Sequence, residues 1–466
     1  MLSMTIDGKP VDTIDAFDVV NPATGQVEAQ APECAPEQLD RAMASAQTAF
    51  GEWRRDDDAR RTAMHALADA VDARQGELTE LLVQETGKPL GVAAGEVASA
   101  APWIRYYADL EWPRRVVQDD PSALIEVEHR PLGVVAAITP WNGPVGMWSW
   151  KIAPALRGGN TVVLKPSPFT PLATLLLGEI GAEVLPPGVI NVVTGGDELG
   201  KAMTAHPTPR KVSFTGSIGA GRSVAVNAAQ DLKRVTLELG GNDAAIVLDD
   251  ADLERTVGTL FAFSMFNCGQ ICCIPKRIFV PSGRYEEFVE AFGVAARSLV
   301  VGDPMDPATG MGPLTTRPQY ERVSALVDDA ISSGARVVAG GKALDGDGYF
   351  FGATVLADVA EGVRIVDEEQ FGPAVPLLRY DTVEEAVQRA NATCYGLSGS
   401  VWSADEDRAR GIAGQLECGT AWVNCHALLP SHAPFSGAKH SGLGVANGED
   451  GLRSFTEQQV VHTARA

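Results

Sequence analysis

Three cysteines lie within six positions of one another in the segment FNCGQICCIPKR, residues 266–277. Cys268, Cys272 and Cys273 offer four kinds of chemistry: a metal site, a disulfide, a nucleophile, or the packing of small apolar side chains. The spacing C-x3-C-C is a poor match for structural zinc, and no histidine is near it in the sequence. A disulfide between the adjacent Cys272 and Cys273 would be strained. We therefore predict no metal site. Two roles for the cysteines stay open, a catalytic nucleophile and the packing of small side chains.

The residues just before Cys272 favour a nucleophile. Gly269 and Gln270 let the backbone turn sharply and present the thiol. A helix that begins at this point would lower the thiol pKa from about 8.5 through its positive end. A nucleophilic cysteine also needs a base, an oxyanion site and an electron acceptor, which other segments of the chain must supply.

Two further segments contain a candidate base and a candidate oxyanion donor. In LELGGND, residues 237–243, Glu238 interrupts an apolar strand, and burial would raise its pKa toward the range of a general base. The alternative is an ordinary exposed glutamate. In ITPWNGP, residues 138–144, Asn142 follows a buried strand and is placed to aim its amide into a site. The alternative is an asparagine that serves only its turn.

A fourth segment, FTGSIGAG at residues 214–221, follows a strand and opens a predicted helix. Gly216 and Gly221 would bring the backbone close to a pyrophosphate at the helix N-terminus. Without the GxGxxG pattern this is weak support for a dinucleotide. Lys165, at the end of another strand, is placed to bond an adenosine ribose, unless it is simply a solvated lysine.

The elements that must position these residues are those of an α/β protein. At 466 residues the chain is long enough for two or three domains. Helical periodicity predicts a helix over residues 59–86. Continuous apolar runs predict two successive series of buried parallel strands; they cover residues 133–139, 161–165, 188–193 and 211–214, then 244–250, 277–280, 335–341, 376–380 and 420–424. The alternating segment 123–131 predicts an exposed arm.

Composition narrows the class of protein. A net charge of -22 disfavours nucleic-acid and anionic-membrane binding. No secretory signal and no apolar run of membrane-spanning length is visible. The odd number of cysteines, seven, shows no disulfide framework, so we predict a cytoplasmic protein with reduced thiols.

Taken together and in this order, the motifs resemble those of the aldehyde dehydrogenase superfamily. The resemblance covers nearly the whole chain, through NPATG (21–25), PWN, VLKPS, PPGVINVVTG (186–195), FTGS, LELGG, GQIC, EEQFGP (368–373) and PFSGAKHSGLG (434–444). It implies NAD(P)-dependent oxidation of an aldehyde to its carboxylic acid through thiohemiacetal and thioester intermediates.

The resemblance also implies roles for individual residues. Cys272 matches the nucleophile, Glu238 the base that activates water, Asn142 the oxyanion donor beside the Cys272 N–H, and Lys151 a lysine of the proton relay. The residues that match or neighbour the cofactor contacts are Ile138, Thr139, Trp141, Lys165, Gly195, Gly216, Ser217 and Gly221, with Glu369 and Phe371 at the nicotinamide riboside. The substrate tunnel would be lined by Gly143, Met147, Trp150, Phe266, Ile271, Cys273, Leu429 and Phe435.

Two positions depart from the family pattern. Pro168 stands where many NAD-preferring members have a glutamate, so NAD stays the expected cofactor but NADP is possible. Ala446 replaces a secondary relay glutamate, which leaves Glu238 as the sole carboxylate base unless Glu449 compensates. Since no Arg or Lys falls in the predicted tunnel, medium-to-large aliphatic or aromatic aldehydes are the expected substrates.

The implied architecture has three parts and forms a homodimer or homotetramer. We predict a Rossmann-like NAD(P)-binding domain from residues 1–113 and 131–237, a catalytic α/β domain at 238–430, and an oligomerisation arm with the C-terminal segment at 114–130 and 431–466. The alternatives are a CoA-acylating semialdehyde dehydrogenase, which the presence of Glu238 disfavours, and an inactive binding or structural relative.

Overall fold

The computed structural model describes residues 2–465. Its strands are β1 (Met4–Ile6), β2 (Lys9–Val11), β3 (Ala16–Asn21), β4 (Gln26–Pro32), β5 (Arg115–Asp119), β6 (Ala123–Pro131), β7 (Val134–Ile138), β8 (Thr161–Lys165), β9 (Ile190–Val192), β10 (Lys211–Thr215), β11 (Arg234–Glu238), β12 (Ala244–Val247), β13 (Arg277–Pro281), β14 (Arg336–Ala339), β15 (Thr354–Ala357), β16 (Ala374–Tyr380), β17 (Ser398–Trp402), β18 (Thr420–Val423), β19 (Gly442–Leu443) and β20 (Thr456–Ala464).

The α-helices alternate with many of these strands. They are α1 (Pro36–Trp53), α2 (Asp57–Ala73), α3 (Gln75–Thr86), α4 (Leu90–Asp109), α5 (Pro144–Arg157), α6 (Leu172–Val184), α7 (Asp197–Ala205), α8 (Ile218–Gln230), α9 (Leu253–Met265), α10 (Tyr285–Ser298), α11 (Arg317–Ser332), α12 (Arg364–Asp367), α13 (Val383–Asn391), α14 (Glu406–Ala413) and α15 (Gly448–Arg453). Short 3-10 helices span Phe266–Gly269, Ser282–Arg284 and Lys439–Ser441.

The larger sheet has eight strands in the order β19-β11-β10-β7-β8-β9-β1-β2. Its five central strands, from β11 to β9, run parallel, and antiparallel strands close both edges. Strands β7, β8 and β10 are buried along their whole length, and α1 and α5 both pack against β8. Burial on both faces explains why these strands are continuously apolar rather than alternating.

The second sheet has seven strands in the order β14-β15-β16-β13-β12-β17-β18. All neighbours in it are parallel except β14 and β15. The two series of strands expected from the sequence therefore form two separate, mainly parallel sheets, which confirms the predicted α/β fold class.

A third sheet has the antiparallel order β20-β6-β5. Strand β6 is the predicted arm, and it pairs with β20 along its whole length. The sheets do not follow the predicted domain limits at two points: β11 ends at Glu238, and β19, from the C-terminal segment, closes the larger sheet. The division into domains stays a prediction.

The single helix predicted over residues 59–86 is wrong. Arg74 leaves the helical region, with φ -111° and ψ 18°, and separates α2 from α3. Both helices pack against α4 and α6, and a break lets each turn its apolar face toward them. The periodicity is correct on each side of the break. Arg74 is itself a good helix former, and the one local signal against a continuous helix is Gly76. Among residues 2–465, no helix combines the length and apolarity needed to cross a bilayer.

Candidate active site

The segments singled out in the sequence converge at one end of the larger sheet. Strand β10 lies between β7 and β11, with Phe214 beside Ile138 and Thr215 beside Glu238. Because the three strands are parallel, the segments that follow them leave the sheet at the same edge. Asn142, Gly216 and Glu238 are thereby brought to one region.

The thiol segment is a turn, so the helix considered at Cys272 is wrong. A 3-10 helix over Phe266–Gly269 precedes it, with Asn267 and Cys268 at positive φ. Of the three clustered cysteines, Cys268 and Cys273 are buried and Cys272 is partly exposed. Only Cys272 is presented to a substrate.

The pKa of Cys272 is lowered, as expected, but by other causes than a helix end. The Cys273 thiol, which hydrogen-bonds to the Cys272 sulfur, lowers this pKa most, and the Lys276 ammonium lowers it further against the opposing effect of burial. Burial raises the pKa of Cys268 instead, so that thiol stays protonated. The thiolate character needed for nucleophilic attack is confined to Cys272.

Asn142 does more than serve its own turn. Its Nδ2 donates to the Gln270 carbonyl at 2.8 Å, and Asn267 Nδ2 donates back to the Asn142 carbonyl at 3.0 Å. The Gln270 amide is itself held by Thr315, whose N–H donates to Gln270 Oε1 at 2.9 Å. The Asn142 amide is thus fixed against the residues that lead into Cys272.

Glu238 is buried, with 5% of its surface exposed, and neither carboxylate oxygen has a hydrogen-bond partner. Burial raises its pKa well above the usual value, the nearby Cys272 raises it further, and Lys151 opposes both. The predicted burial and the direction of the pKa shift are confirmed, and the exposed-glutamate alternative is wrong. An unpartnered carboxylate that senses the charge of Cys272 is suited to accept a proton beside it.

Lys151, on α5, is the next titratable residue of the site after Glu238 and Cys272. Its Nζ donates to Thr215 Oγ1 at 2.9 Å and to Ser213 Oγ at 3.3 Å. Burial lowers its pKa to about 7, while Glu238 raises it. Lys151 is therefore able to exchange a proton near neutral pH.

The predicted adenosine ribose contact, Lys165, is buried rather than solvated. Burial lowers its pKa to about 8, while Asp197 and Glu33 raise it. Glu33 Oε1 accepts a hydrogen bond from the Gly196 N–H at 3.2 Å, and a Cβ at Gly195 would lie 2.6 Å from the same oxygen. Two carboxylates, neither of which the sequence singled out, therefore lie around Lys165.

The predicted pyrophosphate residues lie where β10 meets α8. Ser217 is the N-cap of α8 and accepts a hydrogen bond from the Ala220 N–H at 3.2 Å. A Cβ at Gly216 would meet Phe214 at 2.6 Å, and one at Gly221 would meet Leu239 at 2.5 Å. A side chain at either glycine would displace Phe214 or Leu239, and the predicted contact of both glycines with a cofactor stays a prediction.

The remaining predicted cofactor residues surround the thiol segment. Ile138 and Thr139 are buried at the end of β7, and Thr139 Oγ1 has no partner. Trp141 and Phe371 meet edge to face, with ring centroids 5.3 Å apart. Glu369 Oε1 is ion-paired with Lys276 at 2.9 Å. Lys165 Nζ donates to the Pro166 carbonyl at 3.2 Å and has two further N–H groups. These donors, an unpartnered hydroxyl and a helix N-terminus together fit a dinucleotide.

Most of the predicted tunnel residues form one apolar cluster beside Cys272. Its members are Trp150, Ile271, Cys273, Leu429 and Phe435, with Leu397, Trp422 and Cys425. Met147 lies next to Gly143, where a Cβ would be 3.7 Å from its Cγ. Phe266 is separate and 45% exposed.

The family model described as "Aldehyde dehydrogenase family" matches residues 10–461. The chain belongs to the aldehyde dehydrogenase family. It is 39% identical to retinaldehyde dehydrogenase 3 of Homo sapiens over 96% of this chain and 89% of that protein. It is also 39% identical to a betaine aldehyde dehydrogenase of Cereibacter sphaeroides over 98% of this chain and 96% of that one.

Solved structures agree with this membership. The NAD+ complex of an aldehyde dehydrogenase from Bacillus cereus superposes with a TM-score of 0.97 at 37% identity, covering 100% of this chain and 97% of that one. A Staphylococcus aureus betaine aldehyde dehydrogenase gives a TM-score of 0.96 at 34% identity, with 99% and 97% covered. This aldehyde dehydrogenase is therefore an enzyme that oxidises aldehydes with NAD(P).

Sequence reasoning missed several residues of this aldehyde dehydrogenase site. Trp103 on α4 stacks on Trp150 with ring centroids 5.0 Å apart, and Trp422 ends up in the tunnel cluster. Neither follows from a motif. Lys276 could have been identified from the sequence, because an isolated lysine four residues after the thiol, at the start of a buried strand, is unusual.

Proposed function

We propose that this enzyme oxidises neutral, medium-to-large aliphatic or aromatic aldehydes to carboxylic acids through a covalent Cys272 intermediate that Glu238-activated water hydrolyses. One observation carries the proposal. A partly exposed thiol with a lowered pKa lies close enough to an unpartnered, buried carboxylate for its charge to raise the pKa of that carboxylate.

The first half of the reaction uses Cys272 and Asn142. The Cys272 thiolate adds to the aldehyde carbon, and the carbonyl oxygen becomes an alkoxide. The Cys272 N–H and the N–H of Asn142 that does not bond Gln270 donate to this oxygen. NAD, when held by the residues around Lys165, Ser217 and Glu369, would supply the acceptor for the hydride that leaves the carbon. The carbon–oxygen double bond then re-forms, which leaves a thioester on Cys272.

The second half uses Glu238 and Lys151. Glu238 takes a proton from water as the water oxygen attacks the thioester carbon, and the Cys272 thiolate leaves with the electron pair of the C–S bond. Lys151, with a pKa of about 7, takes up the proton that Glu238 must lose. Glu449 is ion-paired with Arg453 on α15, so we assign the base function to Glu238 alone.

The tunnel cluster supports uncharged substrates. The Trp150 and Phe435 rings meet with centroids 5.9 Å apart, and the side chains packed with them are apolar or thiols. Gly143 adds no side chain, and the space beside it is bounded by Met147 and by the Glu96 carboxylate. Glu96 is ion-paired with Lys88 and accepts two N–H bonds from the start of α5, so its charge is already compensated.

The surroundings of Lys165 support NAD over NADP. Pro168 offers no carboxylate to the ribose hydroxyls, but Glu33 and Asp197 act on the Lys165 ammonium from the other side. Two negative charges at this point would repel a ribose 2′-phosphate. We therefore propose that Glu33, rather than the residue at position 168, makes the enzyme prefer NAD to NADP.

We also propose a cytoplasmic homodimer or homotetramer, joined through the sheet formed by β20, β6 and β5. Val116, Val117 and Val460 on this sheet are more than half exposed, at 52%, 58% and 61%, and a partner copy would cover them. Light scattering coupled to gel filtration measures the state directly, and a monomer at micromolar concentration contradicts this assembly.

The experiment that tests the function measures NADH and NADPH formation with hexanal, benzaldehyde, betaine aldehyde and succinic semialdehyde. The proposal expects the highest kcat/KM with hexanal or benzaldehyde and NAD, and a higher value with succinic semialdehyde contradicts the substrate class. Cys272→Ala should abolish turnover. Acyl-CoA as the main product when CoA is added would favour the CoA-acylating alternative, against which the buried Glu238 argues.

A further inference from the structure

Lys276 joins the thiol segment to the cofactor side of the site. Its Nζ donates to the Cys272 carbonyl at 2.6 Å and to Glu369 Oε1 at 2.9 Å, and it lies 5.4 Å from the centre of the Phe371 ring. The side chain is only 3% exposed. A buried ammonium of this kind needs compensating partners. The Cys272 carbonyl and the Glu369 carboxylate are two of them.

The carboxylate partner of Lys276 also touches the segment that carries the base. Glu369 Oε1 accepts a hydrogen bond from the Gly241 N–H at 3.1 Å. A Cβ at Gly240 would lie 2.2 Å from Glu369 Oε2, so only glycine permits this approach. Lys276 and Glu369 therefore connect Cys272 to the residues that directly follow Glu238.

We propose that Lys276 is a positioning residue for Cys272, holding the backbone of the thiol segment by its carbonyl and supplying the positive charge that stabilises the thiolate. Glu369 has the opposite electrostatic effect, because its carboxylate shares the ammonium and adds a negative charge nearby. This inference rests on the proposed role of Cys272 as the nucleophile.

Several titratable and charged groups act on the Cys272 sulfur. Cys273 and Lys276 lie on its own segment, Glu238 ends β11, Asp243 precedes β12, and Glu369 follows α12. Lys276 is the one cation among them, and a change at Lys276 leaves the Cys273 side chain itself unaltered. The contribution of Lys276 can therefore be separated from that of Cys273.

The test measures thiol reactivity in the enzyme without cofactor. The rate of alkylation by iodoacetamide is followed against pH for Lys276→Met, Lys276→Arg and Glu369→Gln, and mass spectrometry confirms that Cys272 is the residue modified. Lys233→Met is the matched control, since Lys233 is a buried lysine ion-paired with Asp231, away from the thiol segment.

Lys276→Met should raise the midpoint of the profile by about one pH unit, which corresponds to roughly a tenfold slower reaction at pH 7. Lys276→Arg should restore much of the loss, and Glu369→Gln should lower the midpoint. The control should leave the profile unchanged. An unchanged midpoint in a folded Lys276→Met enzyme overturns the inference.

If Lys276→Met does not fold, Lys276→Gln decides: a higher midpoint supports the inference, and an unchanged or lower one overturns it. The proposed function fails separately, through turnover that survives Cys272→Ala. Loss of turnover in Cys272→Ala with an unshifted profile in Lys276→Met would remove only the role of Lys276.

Discussion

Replacing Glu238 by glutamine separates the two halves of the proposed reaction. The change keeps the shape of the side chain and removes its capacity to accept a proton. No hydrogen bond is lost with it, because neither carboxylate oxygen has a partner. The attack of Cys272 and the loss of hydride do not require Glu238. Hydrolysis of the thioester does, so the variant should stop after one turnover.

The size of the effect follows from the role of the group. A positioned general base contributes roughly 10²–10⁴-fold, which is about 3–5 kcal/mol of barrier. Steady-state kcat should fall by that factor. In the native enzyme this step should become faster with rising pH, because burial and Cys272 raise the pKa of Glu238 and only the ionised carboxylate accepts a proton.

A stopped-flow assay distinguishes the two phases. Glu238→Gln should give a burst of NADH close to one equivalent per active site, followed by a slow steady state, and mass spectrometry should find the acyl group on Cys272. Loss of the burst in a folded protein would refute the assignment, because Glu238 would then act before the thioester forms. A steady state at the native rate would refute it equally.

Thermal unfolding is the control for folding. Below the unfolded pKa of about 4.3 the carboxyl group is protonated in both states, and the native enzyme and the variant should be similarly stable. The pKa of Glu238 is higher in the folded than in the unfolded state. The native enzyme therefore loses stability as the pH rises from the unfolded pKa through the folded pKa. Glu238→Gln should therefore unfold at a higher temperature than the native enzyme at neutral and alkaline pH.

Four further predictions concern the neighbouring groups. Asn142→Ala should lower both burst and steady-state rates by roughly 10²–10³, and a normal burst would contradict its oxyanion role. Lys151→Met should shift the rising limb of the pH–rate profile to higher pH, because Lys151 lowers the pKa of Glu238; a shift to lower pH contradicts this. Glu33→Gln should bind 2′,5′-ADP more tightly relative to 5′-AMP in calorimetry, whereas an unchanged ratio removes its role in cofactor choice. Gly143→Leu should raise KM for benzaldehyde about tenfold or more while sparing acetaldehyde, and equal effects on both contradict a tunnel at this point.

The sequence predicted best what depends on strand patterns. The buried parallel strands are continuously apolar, so their positions and their class of sheet followed from the sequence. Parallel strands end at one edge, and this rule alone places Glu238 near Asn142. The break at Arg74 was missed because the one local signal, Gly76, is an isolated glycine of a kind that helices tolerate, and the packing of α2 and α3 against α4 and α6 requires the break.

The directions of the pKa shifts at Glu238 and Cys272 could be predicted from the sequence, but the cause of the Cys272 shift could not. Burial of Glu238 follows from an apolar strand, so its raised pKa could be expected. The lowered pKa of Cys272 was expected from a helix end, whereas the structure attributes it to Cys273 and then Lys276. Side-chain contacts of this kind depend on how a turn closes, and a turn with two residues at positive φ has no reliable pattern in the sequence.

The site combines charges that would each be costly if buried alone. Glu238 lacks any hydrogen bond, Lys151 has only hydroxyl partners, and Lys276 is paired with Glu369. The uncompensated pair, Glu238 and Lys151, is the one with pKa values shifted toward neutrality, while the compensated Lys276 has its pKa raised. Groups that must exchange protons are thus left without strong partners, and the group that must stay charged is given one. On this reasoning, adding a hydrogen-bond donor to Glu238 would stabilise its charge and weaken it as a base.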